Sequence, residues 1–315
     1  MYVADSEQVH ALLEYPILID WLHASLTGQI PDSQTMMTTE PADGANRFMT
    51  LVGWKAQDLI AVKMVGVFPD NLKKRPPQAS IQGLVCGFSG ETGAPLLVAD
   101  GEAMTFRKTA ADSGLGSKLL ARSDARNLLL VGAGGLSWHV VAAHRAARPS
   151  LEIVRIWNRT VQRSQELASQ LRQEGVAAEA IDDLDAAVAE ADIVSCVTMS
   201  EQPLVKGTHL KPGAHLDLIG SYLPTMRECD TEAIARGRVF VNTRRGIENA
   251  GELVHAVEHG RFRWEDIVAD AAELCNERRP GRTGADDITV YKNIGGGQFD
   301  LFTAACLLKQ LRSRD

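Results

Sequence analysis

The 315-residue sequence predicts an α/β chain in two parts, a doubly wound parallel sheet preceded by an α+β domain built on an antiparallel sheet. Three observations carry this. Apolar runs at 127–131, 153–157, 192–197, 214–219 and 238–242 alternate with helical patterns, which implies a parallel sheet with right-handed crossovers. From about residue 46 to 105 short apolar runs are cut by turn signals instead, as in an antiparallel meander. The first run of the second part ends in Gly132-Ala133-Gly134-Gly135-Leu136-Ser137, a glycine turn ahead of a helical pattern.

In chain order, residues 6 to 27 read as helical. Leu12, Leu13, Ile17, Leu18, Trp21, Leu22 and Leu26 recur at helical spacing, and Pro16 suits the first turn of a second helix. Strands are expected at Arg47 to Trp54, Leu59 to Val67, Ser80 to Phe88 and Pro95 to Ala99, with breaks at 55–58, 89–93 and Asp100-Gly101. The segment Pro69 to Gln78, with Lys73, Lys74, Arg75 and two prolines, reads as a solvated loop. A helical link from about 112 to 123 enters the parallel sheet. Further helices are expected at Arg163 to Arg172, after Leu184, and from Phe299 to Leu311.

Composition excludes several classes. With 33 basic against 40 acidic residues the net charge is −7, which argues against bulk binding to nucleic acid or an anionic membrane. No apolar stretch approaches a membrane span, and the N-terminus lacks a signal pattern. Cys86, Cys196, Cys229, Cys275 and Cys306 are scattered, so a reduced, cytoplasmic protein is expected. His139 and His144 read as packing or solvent-facing residues. His209 and His215 have no carboxylate at ligand spacing, and no metal is expected.

The glycine turn points to a dinucleotide. Gly132 permits the tight backbone, a side chain at Gly134 would block a pyrophosphate, and Ser137 is small enough for helix to close on strand. Ala133, Gly135 and Leu136 complete the cradle, whose N–H groups and helix dipole favour phosphate. About 25 residues on, where a carboxylate would hold an NAD ribose, stand Asn158, Arg159 and Thr160, with Arg163 one helical turn further. Arg159 can grip a 2′-phosphate in a bidentate fork, so NADP(H) is expected in preference to NAD(H). Thr198, Met199 and Ser221, at the carboxyl ends of later strands, belong to the same site.

The first domain carries cations where strands usually bury neutral groups. Lys63 stands amid Ile60–Gly66, Arg107 at the exit of the sheet, and Arg47 opens the first strand. Buried cations call for an anionic partner, which is either an internal carboxylate or a ligand. Three on one sheet suggest a carboxylate pocket in which Arg107 clamps and Lys63 acts as acid.

These segments together resemble the ornithine cyclodeaminase/μ-crystallin family. The resemblance rests on Lys63-Met-Val-Gly-Val-Phe-Pro-Asp-Asn71, Gly90-Glu-Thr-Gly-Ala-Pro95, Arg107-Lys-Thr-Ala-Ala111, the glycine turn and Trp157-Asn-Arg-Thr160. It continues through Gly220–Glu228 and Asp287–Lys292, nearly the whole chain in order. It implies a substrate and dimerisation domain (1–113 with about 294–315) joined to an NAD(P)-binding Rossmann domain (114–293). Members bind amino or imino acids in a cleft and exchange a hydride between the substrate α-carbon and nicotinamide. By the same likeness Arg47, Lys63 and Arg107 match the carboxylate set, Thr109 and Ser113 residues near the nicotinamide, and a homodimer is implied.

One departure bears on the reaction. The aspartate of the cyclodeaminase Gly-Gly-Asp-x-Pro stretch is replaced by Tyr222, a poor base for water attack or ring closure. Reduction of a ready-made cyclic ketimine needs no such base, so a ketimine reductase making an L-proline-type product is expected. The alternatives are ornithine cyclodeaminase itself, an open-chain imino-acid reductase and a non-catalytic NADPH-binding protein. Asn293–Asp300 is richer in glycine than the family pattern. Glu228 and Asp300 read as structural, capping or dimer-contact carboxylates.

Overall fold

The computed structural model describes residues 1–41, 44–76 and 78–314, which form two compact units. The first comprises Met1–Lys108 and the chain from Gly296 onward; the second is Thr109–Gly295.

The first unit opens with β1 (Tyr2–Ala4), α1 (Ser6–Leu12) and α2 (Tyr15–Leu26). The Asp5 carboxylate accepts the Gln8 N–H at 2.9 Å while Gln8 returns the bond to the Asp5 N–H, so a capping box starts α1. Then come β2 (Asp32–Thr39), β3 (Arg47–Lys55), β4 (Leu59–Val67), β5 (Ile81–Ser89) and β6 (Pro95–Asp100). The sheet runs β1-β6-β5-β4-β3-β2, antiparallel except that β1 lies parallel to β6. The meander matches expectation, but the two outer strands escaped it. β1 is only three residues long. β2 is Asp-Ser-Gln-Thr-Met-Met-Thr-Thr, exposed at every position but Ser33, so it shows no apolar alternation. Pro69–Lys73 is a 3-10 turn and Lys73–Pro76 are exposed, while Pro77 lies outside the described residues.

α3 (Gly101–Leu120) corrects the sequence reading. Asp100 Oδ1 accepts the Ala103 N–H at 2.8 Å, so Asp100-Gly101 caps a 20-residue helix where a turn was expected. Arg107 therefore sits on a helix, not at the exit of a sheet, and Thr109 lies on the same helix.

The second unit contains β7 (Asn127–Val131), α4 (Ser137–Ala147), β8 (Ile153–Trp157), α5 (Val161–Gln173), β9 (Ala178–Ala180), α6 (Leu184–Glu190), β10 (Ile193–Cys196) and β11 (His215–Leu218). It continues with α7 (Thr231–Arg236), β12 (Arg238–Val241), α8 (Gly251–Glu258), β13 (Ala269–Asp270), α9 (Ala271–Cys275) and β14 (Thr289–Lys292). All eight strands are parallel, in the order β13-β12-β14-β11-β10-β7-β8-β9. The chain winds outward from β7 to β9, returns to place β10 beside β7, and winds the other way. The carboxyl ends of β7 and β10 thus flank the switch point where such sheets bind ligands. β10 and β11 are buried at every position, as strands covered on both faces must be.

The final helix, α10 (Gly297–Arg312), returns to the first unit and packs on β3 and β4. Gly53 makes this approach possible, since a Cβ there would lie 2.8 Å from the Gly297 carbonyl and 2.9 Å from Leu301 Cβ. Among the described residues, no helix is long and apolar enough to cross a membrane.

Candidate active site

In the second unit the glycine turn is held from below. Gly132 has φ +119°, and its N–H donates to the Trp157 carbonyl at 2.8 Å, tying the turn to β8. Ser137 Oγ accepts from the Gly134 N–H at 2.8 Å and donates to the Gly132 carbonyl at 3.2 Å. The hydroxyl thus braces the turn, a contact a third glycine could not make. A Cβ on Gly134 would meet no protein atom within 4 Å, so packing does not explain the glycine. Gly134 and Gly135 are exposed; Ala133 and Leu136 are half-buried.

Asn158 serves the protein. Its Oδ1 accepts the Ala133 N–H at 3.1 Å and its Nδ2 donates to the Thr160 carbonyl at 2.9 Å, so the side chain pins the tip of β8 to the turn. Arg159, Thr160 and Arg163 are exposed. No side-chain hydrogen bond or ion pair engages either guanidinium among the described residues, so both charges stand free at the start of α5.

Beneath the ends of β10 and β11 lies a buried charged cluster that sequence reasoning missed. Glu228 accepts the Thr198 N–H at 2.6 Å and hydroxyl at 3.0 Å with one oxygen, and the Gly220 N–H at 2.8 Å with the other. Glu252 accepts the Glu228 N–H at 3.0 Å and the Ser221 hydroxyl at 2.5 Å. Lys292 Nζ stands 3.6 Å from Glu252, with both side chains fully buried. Burial pushes Glu228 up to about 7; Lys292 holds it down and the neighbouring Glu252 lifts it. The hydroxyls of Thr198 and Ser221, both expected at the cofactor site, donate to these internal carboxylates. Met199 is exposed.

Thr109 and Ser113, on α3, meet the ends of β12 and β14. Asn293 Nδ2 donates to the Thr109 carbonyl and to Ser113 Oγ, each at 3.1 Å. Asp112 accepts from Asn242 at 2.7 Å and from the Tyr291 hydroxyl at 2.8 Å. His144, expected to pack or face solvent, lies buried between Ser117 Oγ (2.8 Å) and Asp217 (3.2 Å). Burial takes His215 down to about 3, so it stays neutral.

In the first unit strand parity decides which cation turns inward. Leu59, Ala61, Lys63 and Val65 alternate onto the buried face of β4, the face that α10 covers. Lys63 is 5% exposed, and its Nζ lies 3.4 Å from Oδ1 of Asp300 on α10. Burial lowers the Lys63 ammonium, Asp300 raises it, and the like charge of Lys108 lowers it further. Lys108 itself is 4% exposed.

The expected trio does not converge. Successive helical residues point about 100° apart, so Arg107 and Lys108 leave α3 in different directions. Arg107 Nε donates to His10 Nδ1 at 3.1 Å, and its guanidinium lies over the Tyr15 ring, 4.6 Å from the centroid. That side chain is committed to α1 and α2. Arg47 Nη1 donates to the Gly44 and Asn46 carbonyls at 2.6 and 2.9 Å. Lys63 pairs with Leu51, four residues from Arg47 on β3, so Arg47 is displaced by roughly 13 Å along the strand. Lys108, which sequence reasoning passed over, supplies the second charge beside Lys63.

Comparison with known proteins follows the same outline. The model of the ornithine cyclodeaminase/mu-crystallin family matches residues 12–314. Protein SAR DEFICIENT 4 of Arabidopsis thaliana is 39% identical over 321 residues, 98% of this chain and 97% of its own. A Delta(1)-pyrroline-2-carboxylate reductase of Colwellia psychrerythraea is 32% identical over 317 residues, 99% of each chain. The solved structure of Thermococcus litoralis Delta(1)-pyrroline-2-carboxylate reductase, in complex with NADH and L-proline, has a TM-score of 0.92 at 22% identity. It covers 100% of this chain and 98% of that one, a likeness of fold.

Proposed function

The chain belongs to the ornithine cyclodeaminase/mu-crystallin family, and from that premise we propose that it is a nicotinamide-dependent reductase of cyclic ketimines. The substrate is Δ1-pyrroline-2-carboxylate or its six-membered homologue, piperideine-2-carboxylate, and the product an L-proline-type amino acid. One observation carries this reading. Lys63 and Lys108 are both buried in the first unit, and among the described residues Asp300 is the carboxylate that acts on Lys63. Two ammonium groups buried near one another, with Asp300 beside Lys63, favour an anionic ligand. Tyr222 in place of an acid favours reduction over cyclodeamination, which needs a base.

Lys108 holds the substrate carboxylate, and Lys63 gives a proton to the imine nitrogen as the carbon gains hydride. The C=N bond becomes CH–NH, and the protein's share is chiefly orientation. Bound at the glycine turn, the reduced nicotinamide dinucleotide supplies the hydride. The fit of that group rests on the open space over Gly134 and the exposed edge of Gly135. Arg159 and Arg163, free at the tip of β8, support NADP(H) over NAD(H) by binding a 2′-phosphate. A homodimer accords with β2 as outer strand, with exposed Met36 and Met37 on it and exposed Phe48 on the adjoining β3. Five free cysteines accord with the cytoplasm.

The test is to mix protein, Δ1-pyrroline-2-carboxylate and NADPH and follow nicotinamide absorbance and proline formation. One proline per NADPH is expected, and no turnover above background would sink the proposal. Ammonia from ornithine without net cofactor change would instead identify a cyclodeaminase.

A further inference from the structure

Asp300 resembled a capping or interface carboxylate in the sequence, yet it lies in the first turn of α10, 3% exposed, against Lys63. Its Oδ1 meets Lys63 Nζ at 3.4 Å, and its Oδ2 is buried without a hydrogen-bond partner. Among the described residues the charged groups that act on Lys63 are Asp300 from α10 and Lys108 from α3. Its register partners on β3 and β5, Leu51 and Val85, are apolar. A lysine enclosed this way, with a second ammonium nearby, loses its proton unless a carboxylate stands beside it.

We propose that Asp300 is a positioning residue for reduction: it anchors the Lys63 ammonium and keeps it charged, so that Lys63 can deliver a proton to the imine nitrogen. The inference rests on the reading of Lys63 as proton donor. After each turnover Lys63 is left as a neutral amine and regains its proton from solvent, with the fixed negative charge of Asp300 favouring that uptake. Asp300 touches neither substrate nor cofactor in this role. Its effect should appear in the pH dependence of kcat and not in KM for the dinucleotide.

The test compares wild type with Asp300→Asn, a nearly isosteric change. The alkaline limb of the kcat profile should move to lower pH, and kcat at mildly alkaline pH should fall by about ten- to a hundredfold, reaching the lower end of what a lost general acid costs. KM for NADPH should stay within about twofold. Asp300→Glu, which restores a carboxylate, should return the limb toward its wild-type position. Lysine-selective nitrogen-15 labelling, with Lys63→Met for assignment, reads the charge of Lys63 without turnover. It should remain an ammonium in wild type at mildly alkaline pH and become an amine in Asp300→Asn. A neutral Lys63 in wild type at that pH, or an active Asp300→Asn enzyme with an unmoved limb, overturns the inference. A wild type inactive on every cyclic ketimine, with Lys63 charged as expected, removes the functional reading alone.

Discussion

Replacing Lys292 with methionine tests the buried cluster under β10 and β11. Methionine keeps the volume and removes the charge, leaving Glu252 and Glu228 to face one another. Lys292 Nζ sits 3.6 Å from Glu252 with neither side chain exposed. At an effective dielectric of about 20 that separation corresponds to roughly 5 kcal/mol of attraction. Removing one partner of a buried pair costs about 3–5 kcal/mol, so the two routes agree. For a unit of this size the melting temperature should fall on the order of 10 °C. The pH dependence has a definite sign. Burial lifts Glu228 from 4.5 to about 7, so the stability tied to its neutral form is complete below 4.5 and is lost as pH rises through about 7. Lys292 holds that value down, so in the variant Glu228 titrates higher still and is neutralised on mild acidification. The deficit should therefore be largest at alkaline pH and shrink as pH falls. Thermal unfolding followed by circular dichroism across that range measures it. A loss under about 1 kcal/mol at alkaline pH, or one that does not shrink on acidification, would refute the reasoning.

Two glycines of one turn should respond oppositely. Gly134→Ala should leave stability within about 0.5 kcal/mol of wild type but weaken dinucleotide binding, because its Cβ enters space free of protein atoms. Gly132→Ala should cost about 1–3 kcal/mol of stability, since it forces φ +119° on alanine with Cβ 2.9 Å from the Val197 carbonyl; melts and cofactor titrations separate the pair. Arg159→Ser should raise KM for NADPH by roughly ten- to a hundredfold and leave NADH nearly unchanged, as loss of a charged hydrogen-bonding partner implies. Lys108→Met should raise KM for the imino acid by a similar factor of about ten or more. Arg107→Met should act mainly on stability, by about 1–2 kcal/mol through the lost Tyr15 stack, and steady-state kinetics beside a melt tells the two apart.

The central strands of the parallel sheet were legible because each is a short apolar run between turn signals, and the glycine turn because its constraints lie within six residues. β9 and β13 were not, being three and two residues long. β14 inserts between β11 and β12 out of chain order, and no local pattern encodes that placement. In the antiparallel sheet, β2 lacked the alternation that one buried face produces, since nearly all of it is exposed. The presence of buried cations in the first domain was readable from Lys63 among apolar neighbours. Sequence patterning places Arg107 at the exit of a sheet, whereas Arg107 and Lys108 both lie on α3 and leave it in different directions.

What the chain's own order of residues determined was local: which segments are strands, where the glycine turn lies, and that Arg159 stands where an acid would be in an NAD site. What tertiary structure alone decided was which charges meet. Asp300 reaches Lys63 across 237 residues of sequence, and Lys292 at the end of β14 closes on Glu252 of α8. Periodicity assigns a side chain to a face, but the partner on that face is set by how the elements pack.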